Sequence, residues 1–323
     1  MSTREELYRS FLDIYCPVFT VLTVIMQLIV LYFIGFHSGR TRFTFRYLLS
    51  HISVCQLILL FITMTCQFRM ISSKIPVEVR CYGPFRYIKP LYTYALHQAW
   101  QFFMFMSGIS IMITLYFKVK SLRADRFSLR GNVLIFLIFH IPVFFSGALE
   151  VYLVITVALP DDVQEALALR NTDVSLYSTT GIMRLSNVSL LNFIIMVGAV
   201  FVYPVASFFL RRHILKRLAG HLASQSDRNK NSHRSFATGL TIQSFLPVLT
   251  YFPTFSLYVY CVLSGTEILF QQYGIYLMPV LPAFIDPFLT LFFMVPFRTK
   301  IMSWMGIKRE SSVGPTSVST TVM

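Results

Sequence analysis

Charge is what this chain has least of. Only 13% of its 323 residues are Asp, Glu, Lys or Arg, about half the share of an ordinary soluble domain. Acidic residues are scarcer still, 14 against 28 basic ones. Too few polar side chains are present to coat a water-soluble fold. Metal and catalytic patterns are missing too. The seven histidines contain no His-x-x-x-His pair and no Cys-His cluster, which excludes the common zinc arrangements. The 14 glycines are scattered and form no phosphate-cradling loop. No nucleophile–base pair emerges, so neither an enzyme nor a cofactor or metal is expected.

Apolar residues fill that space, at 55% of the chain with 32 Phe. This excludes disorder. A bilayer core asks for about 20 consecutive, mostly apolar residues in a helix. Seven stretches qualify: Phe11–Phe36, Tyr47–Phe68, Pro90–Phe117, Asn132–Leu159, Ser186–Leu210, Phe236–Leu263 and Ile268–Pro296. No strand-length alternation of a barrel is visible. The expected fold is therefore all-α, an integral membrane bundle of seven transmembrane helices. The first stretch is too long for a cleaved signal and is read as a retained anchor. The expected organisation is an extracellular N-terminus (1–10), a helical domain (11–296), and a cytoplasmic juxtamembrane helix with a Ser/Thr-rich tail (297–323).

The net charge of +14 resolves once the basic residues are placed between spans. One side holds Arg40, Arg42 and Arg46, then Lys118, Lys120, Arg123, Arg126 and Arg130. It also holds Arg211, Arg212, Lys216, Arg217, Arg228, Lys230 and Arg234, then Arg298, Lys300, Lys308 and Arg309. These nineteen predict the cytoplasmic face, with the N-terminus outside and the C-terminus inside. The charge is split among short loops beside spans, so it is no nucleic-acid stripe. The loop Arg69–Lys89 is an exception. It puts five basic residues on the outer side and has no account from sequence beyond attraction for anions or headgroups.

A heptahelical protein with its N-terminus outside and a basic inner face has the architecture of G-protein-coupled receptors. Rhodopsin-class marks are mostly missing. Span three ends Leu115-Tyr116-Phe117-Lys118 without an acidic-Arg pair, and the loop between spans four and five has no Cys. Other residues resemble nematode serpentine chemoreceptors. They are Gly239-Leu240-Thr241-Ile242-Gln243-Ser244-Phe245-Leu246-Pro247 followed by Phe252-Pro253. Cys81-Tyr82-Gly83-Pro84-Phe85-Arg86-Tyr87 is similar to the delta class of that superfamily. Arg211-Arg212-His213-Ile214-Leu215, Asp286-Pro287 and Pro296-Phe297-Arg298 are too. The resemblance runs over essentially the whole chain. It implies a chemosensory receptor for a small odorant-like or pheromone-like ligand, coupled to a heterotrimeric G protein. The implied place is the plasma membrane, at the sensory cilium of a chemosensory neuron. A transporter or ligand-gated channel is the alternative, although no internal repeat supports one.

Polar residues inside spans are costly and so point to function. His97, Gln98, Gln101, Glu150, Asn192, Tyr258, Gln272 and Tyr276 fall at one outer depth. They are expected to converge on a ligand pocket with an aromatic floor such as Trp100 and Phe103. Tyr and Trp at that depth also fit an interfacial belt. Deeper, Gln243, Pro247 and Pro253 in span six and Asp286 and Pro287 in span seven read as an activation hinge. Asp286 reads equally as a buried polar group satisfied within the bundle. At the inner face, Leu210–Leu222 and Phe297–Ile307 are amphipathic with basic rims. They suit anionic membrane lipids and a G-protein surface rimmed by Arg123, Arg126, Arg211, Arg212, Lys216 and Arg217. Among the five cysteines, Cys81 can pair outside with Cys16, Cys66 or Cys261, and sequence does not choose between them.

Overall fold

The computed structural model describes residues 3–36, 43–71, 77–121, 129–169, 177–222, 238–304 apart from 240 and 244, and residue 306. Long helices dominate: α1 (Thr3–Phe36), α2 (Phe43–Cys66), α3 (Pro90–Ser121), α4 (Leu129–Thr156) and α6 (Asn187–Leu222). A short α5 (Asp161–Leu169) lies between α4 and α6. Six of the described helices are long and apolar enough to cross a membrane, and α3, at 32 residues, is the remaining long one. Their outward faces are apolar, with Leu22, Ile25 and Leu28 on α1 and Leu134, Ile138 and Ile141 on α4 all exposed. Water would make these faces aggregation-prone, whereas lipid matches them. The inner faces meet in a main core around Leu59, Leu60, Trp100, Ile113, Tyr251 and Tyr276, with a smaller cluster around Phe33, Leu49 and Phe297.

Spans six and seven are helices with interruptions. Span six (Thr241–Ser264) passes through Tyr251, which keeps helical backbone angles, into α7 (Phe252–Ser264), with Pro253 in its first turn. Pro253 lacks the N–H that would continue the ladder, so one helical hydrogen bond is missing at that point. Span seven is α8 (Leu269–Leu277), a 3-10 turn Met278–Val280, and α9 (Leu281–Phe293). The break therefore falls at Pro279 and Pro282, upstream of Pro287, which stays inside α9. A further helix, α10 (Val295–Trp304), follows an extended Met294. It packs Phe297 and Trp304 onto Phe33 of α1, and it overlaps the stretch Phe297–Ile307 expected to follow span seven.

The structure adds a sheet that an all-α reading lacks. Phe68–Met70 (β1), Val77–Cys81 (β2) and Ser178–Ile182 (β3) pair antiparallel in that order, with Phe68 opposite Cys81 and Val77 opposite Ile182. Spans two and four correspondingly end earlier than expected. Phe68 belongs to β1, and α4 ends at Thr156 before Leu159. The reason is local. Val77, Val79 and Cys81 alternate with Glu78 and Arg80, the period of a strand. Gly181 makes the pairing possible. Its φ is +147°, and a Cβ there would lie 1.8 Å from the Val77 carbonyl oxygen. Gly181→Ala is expected to break the β2–β3 pairing and sharply reduce surface delivery. Normal delivery, with unchanged hydrogen exchange over 77–81, would contradict this.

Candidate functional site

Beneath the sheet lies a cavity of about 510 Å³, walled by α3, α6, α7 and α8 and roofed by Met70, Val77, Val79 and Ile182 of the strands. Its size is that of a small-molecule site. Of the residues expected there, His97, Gln98, Gln101, Asn192, Tyr258 and Tyr276 line it, together with Trp100. Trp100 is fixed by its indole N–H donating to Thr63 Oγ1 at 2.9 Å and by edge-to-face packing on Tyr276. His97 Nε2 and the Tyr276 hydroxyl share a hydrogen bond of 3.0 Å across α3 and α8. Gln98 Oε1 is buried without a hydrogen-bond partner. Among the described residues, no Asp, Glu, Lys or Arg lines it.

Two expected wall residues sit elsewhere. Glu150 is buried in α4 and accepts from Ser146 Oγ at 3.2 Å, and that hydroxyl also lies 2.6 Å from Asn192 Oδ1. Glu150 is thus one hydrogen bond removed from the wall. A carboxylate needs polar company in a bundle, and Ser146 and Asn192 supply it. Gln272 is drawn upward, accepting from Arg69 Nε at 3.0 Å and donating to the Ile71 carbonyl at 3.1 Å. It ties span seven to the sheet. Phe103 also lies outside the lining. Because Asn192 lines the cavity and Glu150 only orients it, Asn192→Ala is expected to weaken ligand response more than Glu150→Gln. Losing one net hydrogen bond corresponds to about 3–10-fold in affinity. Equal or reversed dose-response shifts for the two variants would count against the placement.

Two of the five basic residues of the loop Arg69–Lys89, Arg69 and Arg80, now have an account. Arg69 is ion-paired with Glu5 of α1, lies over the Tyr273 ring and is hydrogen-bonded to Gln272. Arg80 pairs with Glu78 at 2.6 Å and lies over Tyr177. Burial opposes the charged form of each guanidinium. The neighbouring tyrosines and carboxylates outweigh it, so both are held above the ordinary arginine pKa. These cations are internal clamps of the lid and are already spoken for, so they do not form a free anion site.

Deeper in the bundle, Asp286 accepts from Gln243 and, at 3.5 Å, from Gln56 Nε2. Gln27 Nε2 donates to Gln56 Oε1 at 2.8 Å and to the Ala283 carbonyl at 2.7 Å. One polar network therefore joins spans one, two, six and seven. Gln27 and Gln56 were missed in the sequence, although each is an uncharged amide within an otherwise apolar run. At the inner end of α6, Arg211 donates to Thr241 Oγ1 at 3.2 Å and lies over Phe245, so it faces span six. Arg212 and Lys216 are exposed. Arg123, Arg126 and the Arg217 side chain lie outside the described residues, as does the tail beyond residue 306.

Comparison with known proteins decides the family. The profile described as "Serpentine type 7TM GPCR chemoreceptor Srd" matches residues 12–303. The chain belongs to the Srd family of serpentine chemoreceptors. Three Caenorhabditis elegans relatives agree. Serpentine receptor class delta-40 is 41% identical, over 96% of this chain and 97% of its own length. Class delta-44 is 31% identical over 96% and 98%, and class delta-47 is 29% identical over 98% and 99%. This Srd chain is accordingly an integral membrane protein of a chemosensory receptor family, with the six apolar helices and α3 as its helical frame.

Proposed function

We propose that this Srd receptor binds a small, neutral, mainly apolar ligand in the cavity under the sheet and activates a heterotrimeric G protein. The carrying observation is the composition of the cavity wall. Among the described residues the wall offers no counter-ion, so a charged ligand would shed its hydration uncompensated, which is costly. Apolar side chains and a few amides and hydroxyls suit a ketone, alcohol or ester. His97, Gln98, Gln101, Asn192, Tyr258 and Tyr276 give it orientation, and Glu150 and Gln272 hold wall and lid in place.

The orientation read from charge puts the sheet and cavity outside and the basic ends of α6 and α10 inside, at the plasma membrane of a sensory cilium. Residues 1–10 then lie outside and 297–323 inside. Activation moves the inner end of span six outward about Tyr251–Pro253, where the ladder lacks the Pro253 N–H. Pro247, one turn before, accepts the Tyr251 N–H. Gln243 and Asp286 carry the movement to span seven, where the yielding point is Met278–Val280 and Pro287 stiffens α9. The Arg211 contacts to Thr241 and Phe245 must open for this swing. Arg212, Lys216 and Arg217, with Arg123 and Arg126, rim the docking surface and meet anionic lipids.

The test is a screen of small neutral and charged compounds in sensory-type cells expressing the receptor, read through a G-protein reporter. Neutral compounds should evoke a signal that disappears when the G protein is inactivated. A ligand-evoked current that survives inactivation would favour a channel instead.

A further inference from the structure

Two of the five cysteines meet beside the lid. Cys66 is the last residue of α2 and Cys81 the last of β2, and both are fully buried. The Cys81 thiol donates to the Cys66 carbonyl at 3.0 Å, which sets the Cys81 sulfur against the backbone of Cys66 itself. The backbone around them is locked. The Gln67 N–H donates to Thr63 O at 2.8 Å and the Gly83 N–H to Cys66 O at 3.0 Å. Gln67 takes a left-handed φ of +46°, which turns the chain from α2 into β1. At Gly83 a Cβ would lie 2.2 Å from Thr65 O, so the two segments touch with no side chain between them. The other cysteines belong elsewhere: Cys16 to α1, Cys55 to the middle of α2 and Cys261 to α7. All five are thiols in the structure.

We propose that Cys66 and Cys81 are joined by a disulfide in the mature receptor, pinning β1 and β2 to the outer end of α2. The proposal rests on the outward orientation of the sheet, since only that side is oxidising. Each thiol gives up one proton and one electron as the S–S bond forms. The oxidant is a protein disulfide of the thiol-oxidoreductase class, met during folding in the secretory pathway and reduced to its dithiol. One receptor thiolate attacks that disulfide, and the other then displaces the oxidoreductase from the mixed disulfide. The bond encloses β1 and β2, so it fixes the register in which Met70, Val77 and Val79 roof the cavity.

The test is a thiol count on full-length, surface-biotinylated receptor, acid-quenched, denatured and labelled with a maleimide polymer. Three thiols should label without reductant and five after reduction. The tryptic peptide Cys81–Arg86 should be found attached to peptide 47–69 through Cys66. Cys66→Ser and Cys81→Ser should each label four thiols with or without reductant. Five free thiols in the wild type, Cys81 linked to another cysteine, or a Cys66→Ser variant that still protects two thiols would overturn the proposal. If a variant does not reach the surface, the wild-type count and linked peptide decide alone. An N-terminal epitope tag read on intact cells reports orientation separately. Five free thiols with the tag outside sink the disulfide alone, and a tag inside sinks the orientation.

Discussion

Asp286→Ala is expected to cost the receptor about 2–4 kcal/mol of stability, taking the lower part of about 1–3 kcal/mol for each buried donor left without its acceptor. Two amides lose an acceptor together, Gln243 and Gln56. Hydrogen bonds inside bundles average less than in water because the unfolded chain in the membrane finds other partners, which is why the lower part of the range applies. The effect should appear as a fall in melting temperature in detergent and in the fraction reaching the surface. Asp286→Asn keeps one oxygen acceptor but turns an N–H toward the other amide, so it should fall between. Since the network joins spans one, two, six and seven, ligand response should fall with it. An Asp286→Ala receptor with wild-type melting and delivery would mean that the network holds nothing.

Filling the cavity should have the other large effect. Val197 lines it from α6 and is half-buried. Val197→Trp puts an indole where the ligand would sit, in a space large enough to accept it without moving helices. A ligand response shifted by at least about 100-fold is expected, equivalent to about 2.7 kcal/mol, with surface delivery close to normal. Val202→Trp is the control, because Val202 sits on the same helix with 61% of its surface exposed toward lipid. Equal responses in Val197→Trp and the wild type would remove the ligand from this cavity.

The bundle was legible in the sequence because the bilayer imposes one rule. Backbone polar groups must be satisfied within each segment, so long apolar runs become helices. Six of the eight proposed wall residues share the cavity for a related reason, since polar side chains at one depth turn inward together. Glu150 and Gln272 have the same depth but different neighbours. Depth follows from position along a helix, whereas the facing residue follows from packing. The lid was harder to see. Its alternation over Val77–Cys81 is only five residues long, and its partner strand Ser178–Ile182 lies a hundred residues away. Arg69 is uninterpretable without Glu5 and Tyr273, which only the folded chain brings together. The prolines of span seven were visible. Which of them breaks the helix depends on local backbone: Pro279 falls in the 3-10 turn and Pro282 in the first turn of α9, whereas Pro287 is accommodated mid-helix.

The most direct measurement is photolabelling with a diazirine analogue of an agonist found in the screen, followed by peptide mapping. The labelled residues should come from the cavity wall: His97–Met104 of α3, Ser189–Val197 of α6, and Tyr276. Label confined to the lipid faces of α1 or α4, or to the inner ends of α6 and α10, would contradict a ligand site under the sheet.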